Sequence, residues 1–510
     1  MDGRIMLTRN KISICLTFII IIIFSGSLHA FDLEKKVIKT KLTNGLTVLM
    51  LDRKFSPTVS LYIRYRVGAV DEVEGQSGAA HFLEHMMFKG TTTIGTKNYA
   101  EEKKILAIIE KTGMKLDQEK KEKNADPKII KRLSVTLKAL QEKHRRYYIP
   151  NEIDRLYTEN GGMHMNATTG QDVTTYYVSL PANKIELWAR IESDRLMHPV
   201  FREFYTERDV ILEERRQRVE TNPDGKLYET FIHTAYTIHP YGRPILGWPE
   251  DIKFMTPQAL RNIHKKYLTP SNIVIAVVGD IDPPRTLKLI DRYFGGLPMR
   301  SSTPHRIFIE PEQTKERVVN ISYDANPRLM IGYHKPTAPS FEDYVFDVLE
   351  KILSDGRTSR LYSKLVLEKQ IADSIHAHNG IPGSRYPNMF VIFATPRHPN
   401  TIEDLQKAID QELSDILSQS VSSEELDKAK KKIKMDFITS LDSNSELASI
   451  LSHTELLLGD YRYFANYLPQ IERVTPADIQ NIAAKYLTKH KRTIATLTMN
   501  KDVKNDDHAK

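Results

Sequence analysis

The chain has 510 residues, a formal net charge of +8, 40% hydrophobic and 27% charged residues, and one cysteine. That length exceeds what one core organises, so at least two domains are expected. The composition excludes a collagen-like chain, wholesale disorder and a polytopic membrane protein.

In chain order, the first thirty residues differ from the rest. Arg4, Arg9 and Lys11 precede an apolar run at 12–24, and Ser25, Gly26, Ser27 and Ala30 follow it. This is the order of a secretory signal peptide, residues 1–30. The alternative, a retained membrane anchor, meets a run that is short for a span. Cys15 lies inside the run, without the small neighbours of a lipid-attachment site. Losing Asp2, Arg4, Arg9 and Lys11 lowers the net charge from +8 to +6, and losing Cys15 leaves no thiol. A cysteine nucleophile, thiolate ligands and disulfides are then excluded, and any metal must be held by His, Asp or Glu. Export without disulfides fits a bacterial periplasm at least as well as a eukaryotic secretory route, and a periplasmic location is the expectation. Export also makes nucleic acid an unexpected partner and leaves no stable membrane anchor after cleavage.

An alternating strand is expected over Val59 to Val67, followed by a helix carrying His81-Phe82-Leu83-Glu84-His85. From Lys97 to Tyr148 the chain is rich in Glu, Lys, Ala, Leu and Ile, with a turn at Asn124-Ala125-Asp126-Pro127. It reads as a helical hairpin inserted in the first domain, suited to a lid or a docking surface. Residues 101–146 carry fourteen Lys/Arg against eight Asp/Glu; because the signs are interleaved, this reads as a solvated helical face.

The chain is also duplicated. TPQALRNIHKKYLT from Thr256 and TPADIQNIAAKYLT from Thr475 agree at eight of fourteen positions, 219 residues apart. Thr caps a helix and Pro suits its first turn, so each half should end in a capped helix and a strand (Ile273 to Val278; Thr493 to Thr498). A second early strand is expected over Met330 to Tyr333. Mixed strands and helices without a βαβα rhythm argue for an α+β fold. The expected division is a first domain at 31–297, a polar linker at 298–312, a homologous second domain at 313–505 and a tail at 506–510.

The chemistry centres on His81 and His85. Residues i and i+4 share a helix face, so both imidazoles can reach one metal. Glu84 beside them supplies a carboxylate base, and metal-assisted hydrolysis needs such a base, a few nitrogen or carboxylate ligands and an open position. His-x-x-Glu-His is the inverted zincin order. The bland alternative is a pair of buried structural histidines. Likewise Glu207, Glu213 and Glu214 could be an acidic solvated face.

The stretch VGAVDEVEGQSGAAHFLEHMMFKGT (Val67 to Thr91) resembles the zinc-binding region of the pitrilysin/insulinase family. It is most similar to short bacterial members and to the catalytic subunit of the mitochondrial processing peptidase. The resemblance extends over nearly the whole exported chain and implies two homologous domains facing each other around a clamshell chamber. It implies Zn2+ held by His81, His85 and Glu214, with Glu213 the rival third ligand, Glu84 as general base and Glu207 as a supporting carboxylate. Glu214 stands about fifty residues further from the motif than is usual, an excess the hairpin accounts for. Gly161 to Thr168 resembles the edge strand that binds substrate backbone, with Asn166 and Ala167 as contacts; His164 there is a lesser metal candidate.

The second half lacks the motif; its matching helix, around Phe346 to Glu350, carries no histidine. The resemblance places an Arg and a Tyr at Val366 and Asp373, so that pair is missing, while Arg357, Arg360 and Tyr362 nearby are expected to serve packing. The expected activity is zinc endopeptidase action on peptides or unfolded segments. The chain would be the metal-bearing subunit, its partner a metal-less homologue that carries the Arg/Tyr pair. The alternative is a non-catalytic assembly protein resembling respiratory-complex core proteins.

Overall fold

Two sheets of matching design organise the protein. The computed structural model describes residues 33–299 and 307–499; the signal peptide expected at 1–30, part of the expected linker and the tail at 506–510 lie outside them. Counting helices of eight residues or more, the first half begins with β1 (Ile38–Lys41), β2 (Thr47–Asp52), β3 (Thr58–Tyr65), α1 (Ala79–Met87), α2 (Tyr99–Lys121), α3 (Pro127–His144) and α4 (Glu152–Glu159). It continues with β4 (Met163–Thr169), β5 (Thr174–Pro181), α5 (Ile185–Met197), α6 (Phe204–Arg215), α7 (Pro223–Ala235), α8 (Pro257–Tyr267), β6 (Ile273–Gly279) and α9 (Pro283–Phe294). The second half comprises β7 (Arg317–Ser322), β8 (Arg328–Lys335), α10 (Phe341–Ser354), β9 (Ala372–Ile381), β10 (Asn388–Pro396), α11 (Ile402–Ser418), α12 (Ser423–Ser440), α13 (Asn444–Leu458), α14 (Pro476–Tyr486) and β11 (Arg492–Thr498).

The first sheet has the order β1-β2-β6-β3-β5-β4 and the second β7-β11-β8-β10-β9. Aligned from β2 and β7, the two orders are the same, and each contains one parallel pair, β2 with β6 and β7 with β11. The duplication is therefore carried by topology as well as by sequence. The repeated helices are capped as their sequences require: Thr256 and Thr475 accept hydrogen bonds from the backbone N–H groups of Ala259 and Asp478. The first strands recur 270 residues on, Thr47 against Arg317 and Thr58 against Arg328. The last helix and strand recur 219 on, so the 51-residue difference is the hairpin α2–α3. Asp126 caps α3 and Pro127 opens it, at the turn the sequence predicts.

The halves exchange equivalent helices. Shifted by 219 residues, α7 falls on 442–454, over α13. In the fold α13 packs on β3 and β6 of the first sheet, and α7 packs on β7, β8 and β11 of the second. Buried Phe231 and Ala235 of α7 join Met330, Ala495 and Leu497 in one apolar cluster. Gly332 of β8 allows this approach, since a Cβ there would stand 2.5 Å from the Phe231 ring. Each half thus covers a sheet face that the other leaves open, and the shared apolar burial is the main force joining them.

Candidate metal centre

Helix α1 is positioned by burial on one side. Phe82, Leu83, Met86 and Met87 are at most 3% exposed, and truncating a side chain like Phe82 costs about 3–5 kcal/mol. Its N-terminus is Gly78, in the left-handed region at φ 86°, where a Cβ would meet the Leu246 carbonyl at 2.7 Å. No side chain of the helix caps it; instead the buried Glu72 carboxylate accepts from the N–H groups of Gly78 (2.9 Å) and Ala80 (2.7 Å). Burial outweighs these bonds and pushes the Glu72 carboxyl up to about 8.

With its apolar face fixed, α1 turns both histidines toward α6. Glu214 Oε2 lies 3.7 Å from His81 Nε2 and 3.5 Å from His85 Nε2. Ligand atoms of a tetrahedral zinc, each about 2.0–2.1 Å from the ion, stand about 3.4 Å apart, so this donor set fits the metal. Among the described residues, His81, His85 and Glu214 are the one cluster of His, Asp or Glu ligand atoms mutually within 4.8 Å. Glu213 points elsewhere: it is exposed and bonds Arg216 and Gln217. His164 is exposed, at φ 55° on β4, and is not part of the cluster.

The surrounding groups divide the charge. Burial and the neighbouring His85 hold His81 down to about 4. Burial would lower His85 too, but hydrogen bonds to Glu207 and Glu214 push it up to about 9. Glu207 Oε1 lies 2.8 Å from His85 Nδ1. Burial would raise Glu207, yet the hydrogen bonds from His85 and Lys89 bring it down to about 2. A carboxylate on the second ring nitrogen is the usual support of a metal-binding histidine. Glu84 is raised by burial, a rise moderated by a 2.5 Å hydrogen bond from Thr169 Oγ1.

His81, Glu84, His85 and Glu214 open onto a cleft of about 600 Å³ that Asn166 and Ala167 also line. Both lie on β4, the edge of the first sheet; Asn166 Oδ1 accepts from the N–H of Ala167 at 2.9 Å, beside a register shift. Sequence reasoning missed Thr169, Arg218, Tyr228 and Arg243, which share the cleft. Arg218 could have been found: it follows Glu214 by one turn, pairs with it at 3.2 Å, and sits in a π-helical segment at 216–220, a distortion common at functional sites. Tyr228 arrives on α7 and has no local signal. A larger cavity, about 950 Å³, lies between the hairpin and the start of α6 and holds neither the histidine pair nor Glu84.

In the second half Val366 is buried in the core and Asp373 is paired with Arg397. Arg360 is bound by both oxygens of Glu425, the packing role expected of it. The second half does brace the site: Arg385 bonds Asp71 at 2.9 and 3.0 Å and the carbonyl of Asp172 in the turn after β4.

Comparison with known proteins gives one consistent family. A family model described as "Insulinase (Peptidase family M16)" matches residues 47–125 and 146–248, and "Peptidase M16 inactive domain" matches 255–433. The interruption at 126–145 covers α3 of the hairpin. The chain is 28% identical over 493 residues to a zinc protease, PqqE, of Helicobacter pylori, covering 94% of this chain and 97% of that one. It is 22% identical over 450 residues to an uncharacterized zinc protease, YmxG, of Bacillus subtilis, covering 88% and 94%. A solved protease structure from Helicobacter pylori superposes with a TM-score of 0.76 at 26% identity, over 91% of this chain and 99% of that one. The first half of the periplasmic protease PqqL from Escherichia coli shares the fold at 20% identity, with a TM-score of 0.67 over 91% and 92%. Against the whole of PqqL, this chain spans 48% of its length.

Proposed function

Because this chain belongs to the pitrilysin/insulinase (M16) family of peptidases, we propose that it is a zinc endopeptidase that cleaves peptides and unfolded segments. The observation that carries the reading is the convergence of His81, His85 and Glu214 at zinc-ligand spacing, with Glu84 beside them on the cleft. Zinc would be held by those three residues and supplies Lewis acidity toward water and the scissile carbonyl. Glu84 takes a proton from the attacking water and delivers it to the leaving amine; its raised carboxyl suits both steps. Asn166 and Ala167 present the free edge of β4, to which an extended substrate adds as a strand. Glu207 holds His85 in the ring orientation that turns Nε2 toward Glu214.

We further propose that the chain works as the metal-bearing member of a two-subunit enzyme in the periplasm. Two observations support this: Val366 and Asp373 stand where the resemblance calls for Arg and Tyr, and the chain spans 48% of PqqL, a periplasmic protease. Among the described residues no helix is long and apolar enough to cross a membrane. The second subunit would close a chamber over the cleft and lend an oxyanion donor. The test is peptide hydrolysis by the purified chain alone and with a metal-less homologous subunit. The reading predicts weak activity alone, strong activity with the partner, and none in either case for Glu84→Gln. Full activity alone would remove the two-subunit part, and activity surviving in Glu84→Gln would remove the mechanism.

A further inference from the structure

The hairpin is tied to the metal centre by an unbroken chain of polar contacts. Thr96 and Tyr148 close its base as an isolated β-bridge. Tyr148 Oη donates to Glu203 Oε1 at 2.6 Å. Glu203 Oε2 accepts from Lys89 Nζ at 3.4 Å, and Lys89 Nζ lies 2.6 Å from Glu207 Oε2. Glu207 Oε1 then meets His85 Nδ1 at 2.8 Å. Each carboxylate uses one oxygen for each neighbour, so every link orients the next.

Two further facts show that the chain is built into the fold. Glu203 is the residue before α6, the helix of Glu207 and Glu214, and it has φ 56° and ψ 23°. A non-glycine residue holds that left-handed conformation only where its surroundings enforce it, and Tyr148 and Lys89 are what hold its side chain. In addition, Arg202 fixes the Lys89 backbone: it donates to the Lys89 carbonyl at 2.9 Å while its other nitrogens bind Glu102 of α2. Both the side chain and the main chain of Lys89 are therefore anchored to the hairpin.

We propose that Tyr148, Glu203 and Lys89 are positioning residues through which the hairpin sets the affinity of the site for zinc. Their action rests on the zinc reading given above. Tyr148 keeps Glu203 in place as a second acceptor for Lys89. Lys89 is then shared between two carboxylates, and Glu207 retains more of its charge for His85. Without the Tyr148 hydroxyl, Glu203, a quarter exposed, is free to turn to solvent, Lys89 concentrates on Glu207, and His85 becomes a poorer ligand. Outer partners of metal-binding histidines typically contribute about 10–100-fold in affinity; a group acting through two further contacts should contribute about 3–10-fold.

The experiment is zinc competition against a chelating dye for the full chain, its Tyr148→Phe and Glu203→Gln variants, and each in a Glu207→Gln background. Visible absorption of the Co2+-loaded proteins and thermal midpoints are recorded alongside. Tyr148→Phe keeps the ring stack on His144, 5.0 Å away, so its thermal midpoint should hold. The expected result is zinc binding weakened about 3–10-fold by each single change, with an altered Co2+ spectrum and no further effect once Glu207 is replaced. Wild-type affinity in both variants, or losses equally large without Glu207, would overturn the coupling while leaving the zinc reading intact. A wild-type chain that binds no zinc would overturn both.

Discussion

Thr169 Oγ1 donates a 2.5 Å hydrogen bond to Glu84 Oε2. Thr169 is the last residue of β4, so the strand offered to substrate also holds the proposed base. The Asp172 turn that follows is clamped by Arg385 from the second half. A half without a metal cluster among its described residues thereby bears on the carboxylate that handles the proton.

Replacing Thr169 by Val tests that contact. Burial already raises Glu84 and the Thr169 bond lowers it, so removing the bond moves the carboxyl further up. The base acts when ionised, so the acidic limb of kcat/KM should shift to higher pH by about half a unit to one unit. An unmoved acidic limb in the Thr169→Val profile would contradict this role.

The hairpin's anchor offers a stability test. Glu102, His144 and Arg202 are at most 2% exposed, with Arg202 Nε 2.7 Å and His144 Nε2 2.8 Å from Glu102 Oε1. Breaking a buried pair strands the other charge and costs about 3–5 kcal/mol. Glu102→Gln should lose about that much in urea denaturation; a loss below about 1 kcal/mol would show that the anchor is dispensable.

Asp347 gives a pH signature in the second half. It is half-buried on α10, accepts from Asn379 and Tyr467, and loss of water around it with the nearby Asp343 charge pushes it up to about 7 from 3.8. The folded state thus holds this proton more tightly than the unfolded state. Asp347 costs nothing below pH 3.8, and its destabilising effect grows as pH rises toward 7, then levels off. Asp347→Asn removes the effect. Its stability relative to wild type should therefore rise by about 2–4 kcal/mol between pH 4 and pH 8, and a pH-independent difference in urea midpoints would refute it.

The local parts of this account were legible in the sequence. His81, Glu84 and His85 announce themselves because one helical turn sets their spacing, and Asp126-Pro127 fixes the hairpin turn by backbone chemistry alone. Thr256 and Thr475 mark matching helix starts for the same reason. The choice between Glu213 and Glu214 was not open to spacing, because adjacent residues differ only in which way α6 is rotated. The exchange of α7 and α13 was also hidden: Phe231 reads as the apolar face of a helix, and nothing local says whose sheet it covers. Glu72 capping α1, and Tyr148 reaching Glu203 55 residues on, are likewise products of tertiary packing.

Zinc content of the purified chain, beside Glu214→Gln and Glu84→Gln, tests the central claim most directly. The account predicts about one zinc per wild-type chain, retained in Glu84→Gln and weakened in Glu214→Gln, with hydrolysis lost in both. A wild-type chain that takes up no zinc after reconstitution, or a Glu214→Gln chain that holds it as tightly as wild type, would contradict it.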